Sequence, residues 1–156
     1  TFEQTFDGVI AMFNVMGYQV GNNDMQRTLD GVSKYLKRGG VFIFDCWYAP
    51  AVLRDPPTDR VKEISTKSQR LIRLTKSKLE LNKDVVNISF QVLNVKGGKI
   101  SDEVNENHHM RYFTLPELEY FLQKTGLELI NTYDWMEMNS PASGRKWDIF
   151  VVARKV

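Results

Sequence analysis

Hydrophobic residues follow a helical period in some stretches and a two-residue period in others, which divides the chain into three regions. In the first region, the continuous apolar run at 6–13 is typical of a strand buried on both faces of a parallel sheet. A shorter run at 41–45 predicts a second such strand. Between them, four apolar residues fall on one face of a predicted helix: Met25, Leu29, Val32 and Leu36. Strand, helix and strand joined by short turns predict a right-handed parallel unit.

The ends of this first helix carry recognisable capping signals. Asn23, with Gln26 three positions later, suits an N-terminal cap. The pair Gly39-Gly40 follows two cations and suits a C-terminal end. We therefore expect the helix to begin at Asn23 and to end at the glycine pair, directly before the second strand.

The second region, about 58–113, follows the chain break at Asp55-Pro56-Pro57 and has the pattern of an antiparallel insert. Polar residues alternate with an apolar series that predicts a half-buried strand: Val86, Ile88, Phe90 and Val92. Gly97-Gly98 predicts the turn into a returning strand.

The third region predicts a helix followed by two strands. Thr114 and Glu117 have the spacing of a capping box, and they precede three apolar residues that are expected to face inward: Leu118, Phe121 and Leu122. Gly126 ends this helix, and apolar runs at 127–133 and 149–153 predict strands, the last of them antiparallel to its neighbours.

Composition narrows the class of protein. The chain has 156 residues, 42% of them hydrophobic, which suits one globular domain. Its net charge of +2 gives no support to a nucleic-acid partner. The single cysteine, Cys46, excludes an intrachain disulfide and is typical of a cytoplasmic protein. No apolar run approaches the roughly 20 residues of a membrane helix. His108 and His109 are adjacent on a strand and point to opposite faces, so no metal site is predicted.

Three segments, taken in their order and spacing, resemble the class I S-adenosylmethionine-dependent methyltransferases. Residues 6–18, FDGVIAMFNVMGY, resemble the fourth strand of that family and the loop that follows it. Residues 35–45, YLKRGGVFIFD, resemble its turn into the fifth strand, with Arg38 in place of the usual proline. Residues 110–127 resemble the entry to the last helix and the helix itself. The resemblance is closest to small-molecule methyltransferases with an antiparallel insert, including amino-sugar N-methyltransferases.

This resemblance implies an α/β fold: the back half of a doubly wound Rossmann-like sheet, with an antiparallel β insert and a terminal β-hairpin. Residues 1–156 would then form the C-terminal part of one methyltransferase domain. The family places a glycine-rich cofactor loop and a ribose-binding acid before this part, and the sequence contains neither. We therefore expect the N-terminal cofactor half to be absent. We also expect S-adenosylmethionine to bind this chain alone weakly or not at all, and the isolated chain to be inactive.

The resemblance also implies a site at the carboxyl ends of the first two strands, where ligands of open α/β sheets bind. The residues implied at the cofactor pocket are Ala11, Met12 and Phe13. Those implied at the substrate are Asn14, Tyr18, Trp47, Tyr48 and Arg111. Tyr18 is also the candidate catalytic residue, which would orient the substrate or relay a proton. Core packing is an open alternative for Met12 and Tyr18, and sealing of the sheet against the insert is one for Trp47 and Tyr48.

Two functions from different classes are compatible with these features. The first is an enzyme that transfers a methyl group from S-adenosylmethionine to nitrogen or oxygen of a small molecule. The alternative is a non-catalytic, truncated module that binds a partner chain. In either case the strand at 6–13 has an apolar edge, and we expect the missing N-terminal half or a second copy to pair with it. No membrane partner is expected. A nucleotide-dependent oxidoreductase is a distant third, because the back half of such a domain lacks the final hairpin.

Overall fold

The computed structural model describes residues 3–66 and 69–156, which form two compact units. The first unit takes in the described residues up to Asp55 and those from Arg111 to Val156, and the second comprises Pro56–Met110. The elements in chain order are β1 (Phe6–Ala11), α1 (Asn22–Tyr35), β2 (Leu36–Tyr48), α2 (Ala49–Arg54), β3 (Arg60–Ser65), β4 (Arg70–Glu80), β5 (Val85–Lys96), β6 (Lys99–Phe113), α3 (Leu115–Lys124), β7 (Leu127–Asp134), β8 (Glu137–Pro141) and β9 (Asp148–Lys155).

The sheet of the first unit has the predicted mixture of parallel and antiparallel strands. β1 lies parallel to β2, with Val9 opposite Phe42. β9 lies between β2 and β7 and is antiparallel to both. The expected parallel pair and the antiparallel last strand are therefore confirmed. The short strand β8, which pairs antiparallel with β7, is an addition that the sequence pattern does not predict.

The core of the first unit lies between one face of this sheet and the two longer helices. Alternate residues of β2 enter it (Phe42, Phe44 and Cys46), together with residues from α1 (Met25 and Leu29) and from α3 (Leu118, Phe121 and Leu122). All of these side chains are at least 95% buried. The spacing of these residues follows the two periods that the sequence shows, because a strand alternates its faces and a helix repeats every 3.6 residues.

The first strand is shorter and more exposed than predicted. It ends at Ala11, before the predicted limit at Phe13, and the side chain of Ile10 is 73% exposed. The prediction that both of its faces are buried is therefore wrong. Among the described residues β1 pairs with β2 alone, so its other edge has no strand to cover it.

The boundaries of α1 also differ from the prediction. The N-terminal cap is Gly21, and Asn23 lies within the first turn. The helix ends at Tyr35, one turn before the glycine pair, because Leu36 already has extended backbone angles. β2 therefore begins at Leu36, and Gly39 takes a positive φ of 79° inside its first half. In α3, by contrast, the predicted capping box is confirmed: Thr114 Oγ1 accepts from the Glu117 amide and the Glu117 carboxylate accepts from the Thr114 amide.

The second unit is an antiparallel sheet, as the alternation in the sequence predicts. β4 pairs with β3 on one side and with β5 on the other, in unbroken register from Arg70 opposite Val95 to Glu80 opposite Val85. The predicted alternating series lies in β5, where Val86 is fully buried. No helix in the described part of the chain is both long and apolar enough to cross a membrane.

Candidate active site

The turn after β1 has a strained backbone at two consecutive residues. Phe13 and Asn14 both have positive φ angles, 66° and 58°, although neither is glycine. Side chains with a Cβ adopt this left-handed region at a cost on the order of 1–3 kcal/mol each, and they keep it only where the surroundings hold them. The turn leaves the ring of Phe13 82% exposed. Such strained turns are common where a ligand or partner binds, which makes this a candidate site.

Two aspartates hold the strained turn in place. Asp45, near the end of β2, is 1% exposed, and its Oδ1 and Oδ2 accept from the Asn14 amide at 3.1 and 3.0 Å. The Asn14 side-chain Nδ2 donates to Oδ1 of Asp148 at 2.6 Å. Asp148 is the first residue of β9, where it lies opposite Trp47. Since β9 runs antiparallel to β2, its beginning meets the carboxyl ends of the parallel strands, and three elements converge on one point.

The charges and hydrogen-bonding groups where Asn14, Asp45 and Asp148 meet favour a ligand that donates hydrogen bonds. Burial raises the pKa of Asp45, the Asn14 amide lowers it in part, and the charge of Asp148 raises it further. Oδ1 of Asn14 is buried and accepts no hydrogen bond from the described residues. The point therefore contains two carboxylates and an unsatisfied amide oxygen, all of them acceptors.

Aromatic side chains stand beside the aspartates. The ring of Trp47 meets that of Trp147 edge to face, with centroids 5.3 Å apart. Trp147 is fixed by its indole Nε1, which donates to the carbonyl oxygen of Asp55 at 3.1 Å, and by its own carbonyl, which accepts from the Tyr48 amide at 2.6 Å. Tyr48 packs partly buried against the core. Such rings can exclude water from an adjoining reaction.

The segment that carries Trp147 and Asp148 is anchored through Asp134. This fully buried carboxylate accepts from the Ser143 amide at 3.1 Å and from the Ser143 hydroxyl at 2.6 Å. Burial alone would raise the pKa of Asp134, but the hydrogen bonds from Ser143 and the charge of Arg145 outweigh it and lower the pKa. The hydrogen bonds from Ser143 thus tie the residues that precede Trp147 to the end of β7.

The structure brings some of the candidate residues together and leaves others apart. Asn14 and Trp47 lie at the two aspartates, whereas Tyr48, the next residue of β2, packs against the core. Ala11 and Met12 are half-buried at the end of β1, and Tyr18 is 49% exposed on the segment that follows. Arg111 is 6% exposed and forms no hydrogen bond to the aspartates; its partners lie elsewhere in the same unit.

Trp147 and Asp148 were not among the residues predicted from the sequence. No local motif marks them, and Asp148 reaches Asn14 across 134 positions of the chain. One signal was available: the first residues of an antiparallel last strand must lie at the edge where the parallel strands end.

Solved structures that align with this chain include S-adenosylmethionine-dependent methyltransferases. A methyltransferase from Clostridium acetobutylicum aligns with a TM-score of 0.79 and 19% identity, over 99% of this chain and 60% of that one. The CcbJ methyltransferase of Streptomyces caelestis aligns with a TM-score of 0.76 and 20% identity, over 99% and 63%. The sugar N-methyltransferase KedS8 of a Streptoalloteichus species aligns with a TM-score of 0.76 and 17% identity, over 100% and 59%.

These alignments establish the fold of the chain. Its mixed sheet and helices match the C-terminal portion of the Rossmann-like fold of S-adenosylmethionine-dependent methyltransferases, as the resemblance in sequence implied. The chain spans about 60% of the length of the structures it matches. No protein-family model matches the sequence, and no curated protein matches it.

Proposed function

We propose that this chain is the acceptor-binding part of an S-adenosylmethionine-dependent methyltransferase that acts on a small molecule. The observation that carries the proposal is the meeting of Asn14, Asp45 and Asp148 at the carboxyl ends of β1 and β2, within a fold that solved methyltransferases share. This is the edge where open α/β sheets bind their ligands.

Nitrogen is the preferred acceptor in this proposal. An amine that binds as an ammonium ion carries positive charge and donor hydrogens, and the site offers carboxylates and an amide oxygen to match them. A neutral hydroxyl gains less from this arrangement. Structures with this fold include a sugar N-methyltransferase and an amino pentose methyltransferase, which supports the preference for nitrogen.

The residues of this chain would align the acceptor and remove its proton. Asp148 uses Oδ1 for Asn14, and its Oδ2 bonds to none of the described residues, so that oxygen can accept a proton from an ammonium acceptor before attack. Asp45 holds Asn14 in position. Trp47 and Trp147 exclude water, and the hydroxyl of Tyr18 can orient the acceptor. When bound, S-adenosylmethionine supplies the methyl group.

The described residues fit the cofactor only in part. The exposed ring of Phe13, with Ala11 and Met12 beside it, can form one wall of a cofactor pocket. The glycine-rich loop and the acid for the ribose are not present in these 156 residues. We propose that a further polypeptide segment pairs with the open edge of β1 and provides them, and that this chain alone binds the cofactor weakly.

The proposal is tested by measuring binding and turnover with and without that segment. Isothermal titration with S-adenosylmethionine is expected to show weak or no binding to this chain. Joining it to a segment that carries the glycine-rich loop and the ribose-binding acid is expected to restore binding and the methylation of amines in a panel of amino and hydroxy sugars. Methylation of hydroxyl groups alone would refute the preference for nitrogen.

The second candidate function is a non-catalytic module that binds a partner chain. The exposed side chains of Ile10 and Phe13 favour it, because they form an apolar surface at an unpaired strand edge. If the joined protein neither binds the cofactor nor methylates any acceptor, but does form a complex through this edge, the module is the better description.

A further inference from the structure

Arg111 is a buried arginine with an unusual set of partners. It lies near the end of β6 with 6% of its surface exposed. Its Nη1 donates to the carbonyl oxygen of Val20 at 3.2 Å, and its Nη2 donates to Oδ1 of Asn22 at 2.7 Å. Nη2 also forms an ion pair with the carboxylate of Glu117 on α3. One guanidinium thus ties the start of α1 to the start of α3.

Aromatic rings hold the guanidinium in this orientation. Its central carbon lies 5.4 Å from the ring centroid of Phe113 and 5.7 Å from that of Phe121. Arginine has a planar fork that stacks on rings while its nitrogens bond sideways, which lysine cannot reproduce. The orientation of the fork is therefore set by packing as well as by its hydrogen bonds.

The arrangement is not the one that stability alone would favour. The Nε of Arg111 is buried and has no hydrogen-bond partner among the described residues. An unsatisfied buried donor is unfavourable, and apolar side chains often replace buried ion pairs without loss of stability. What a methionine could not supply is the pair of bonds to Val20 and Asn22. The geometry of that segment is therefore what Arg111 provides.

The segment in question connects the candidate site to α1. Its near end is fixed at Asn14, which Asp45 and Asp148 hold, and its far end is fixed at Val20 and Asn22 by Arg111. Between these ends lies a short 3-10 helix, Val15–Tyr18, in which the Gly17 amide donates to the Asn14 carbonyl at 3.0 Å.

We propose that Arg111 is a positioning residue, which acts on the acceptor through the segment that carries Tyr18 and does not contact the acceptor itself. This assignment rests on the proposed function only for the role of Tyr18. The ordering of the segment by Arg111 can be measured without cofactor or acceptor.

The experiment is amide hydrogen exchange on the whole chain, comparing wild type with Arg111→Met. Loss of the charged bonds is expected to speed exchange at Gly17, Gln19 and Val20 about tenfold more than at Val151 in the core. Arg111→Lys is expected to behave in the same way, because lysine keeps the charge and loses the fork. Thr114→Ala is the matched control: it weakens the start of α3 and leaves the bonds of Arg111 to Val20 and Asn22 in place.

A second variant keeps the proposal testable if Arg111→Met does not fold. Asn22→Ala removes one of the two bonds, and it is expected to speed exchange at Gln19 and Val20 by a smaller factor in a folded protein. If exchange in the segment follows the core in both Arg111→Lys and Asn22→Ala, Arg111 is only a stabilising residue and the proposal is wrong. In a joined, active enzyme, Arg111→Lys is expected to lower kcat for the acceptor without raising the KM for S-adenosylmethionine. Absence of any activity would refute the proposed function and leave the exchange result standing.

Discussion

Asp45 provides the sharpest test of the site, because burial raises the pKa of its carboxyl group while the hydrogen bond from the Asn14 amide lowers it. The change is Asp45→Asn, which keeps the volume of the side chain and one acceptor oxygen. At neutral pH the substitution exchanges a charged hydrogen-bond acceptor for a neutral one, which lowers the free energy of unfolding by about 1 kcal/mol. It also removes a buried charge that faces Asp148, which offsets part of that decrease. We therefore expect the free energy of unfolding at pH 7 to change by no more than about 1 kcal/mol.

Wild type and Asp45→Asn should differ in how the free energy of unfolding depends on pH. Burial raises the pKa of Asp45 above its ordinary value of 3.8, so the folded protein holds this proton to a higher pH than the unfolded chain does. Asp45 thus contributes its full stability below pH 3.8 and loses it as the pH rises through the folded pKa. Within that window wild type should lose up to about 1.4 kcal/mol per pH unit relative to Asp45→Asn. Above the folded pKa the difference should be constant.

The assay is urea unfolding of both proteins, followed by tryptophan fluorescence at a series of pH values from mildly acidic to neutral. The quantity of interest is the difference between the two free energies of unfolding, which cancels the titration of groups that do not interact with Asp45; the coupling between Asp45 and Asp148 remains part of the difference. If wild type instead gains stability relative to Asp45→Asn as the pH rises through this window, the hydrogen bonds from Asn14 dominate over burial. The account of the site as a place of raised carboxylate pKa would then be wrong.

Four further outcomes follow from the same contacts. Asp134→Asn should give the opposite profile, because the folded pKa of Asp134 is lowered: wild type should lose stability relative to the variant as the pH falls from 3.8 through the folded pKa, measured by the same unfolding assay extended below pH 3.8. Thr114→Ala should reduce the free energy of unfolding by about 1 kcal/mol through loss of the helix cap, and an unchanged value would show that the cap contributes nothing. In a joined enzyme, Tyr18→Phe should lower turnover more than it lowers the melting temperature, and equal losses would favour a packing role. The isolated chain should associate with increasing concentration in light scattering, and Ile10→Lys should abolish this by charging the edge of β1; a monomer at high concentration would count against pairing at that edge.

Much of the fold could be predicted because it depends on local periodicity. The apolar runs of β1 and β2 and the helical spacing between them predict a parallel pair, and Val9 does lie opposite Phe42. The cap at Thr114 is equally local, since its two partners are three residues apart. In each case the residues that decide the structure are neighbours in sequence.

Where the prediction fails, the structure depends on parts of the chain that are far apart in sequence. The apolar run of β1 indicates a strand buried on both faces, yet Ile10 is 73% exposed because no described part of the chain packs over its side chain. β8 has a polar sequence, EMNSP, without alternation, and only its pairing with β7 makes it a strand. The early end of α1 follows from the start of β2, since residues from Leu36 onward belong to the sheet.

The candidate site depends on contacts between residues that are far apart in sequence. Asparagine enters the left-handed region more readily than most residues, but Phe13 has no local reason to adopt a positive φ angle. The turn exists because Asp45, 31 positions away, and Asp148, 134 positions away, supply its hydrogen bonds. The strained form of the turn is therefore held by residues of β2 and β9. These contacts are distant in sequence, which is why the sequence predicts a site at the carboxyl ends of the parallel strands but not the residues that hold the turn.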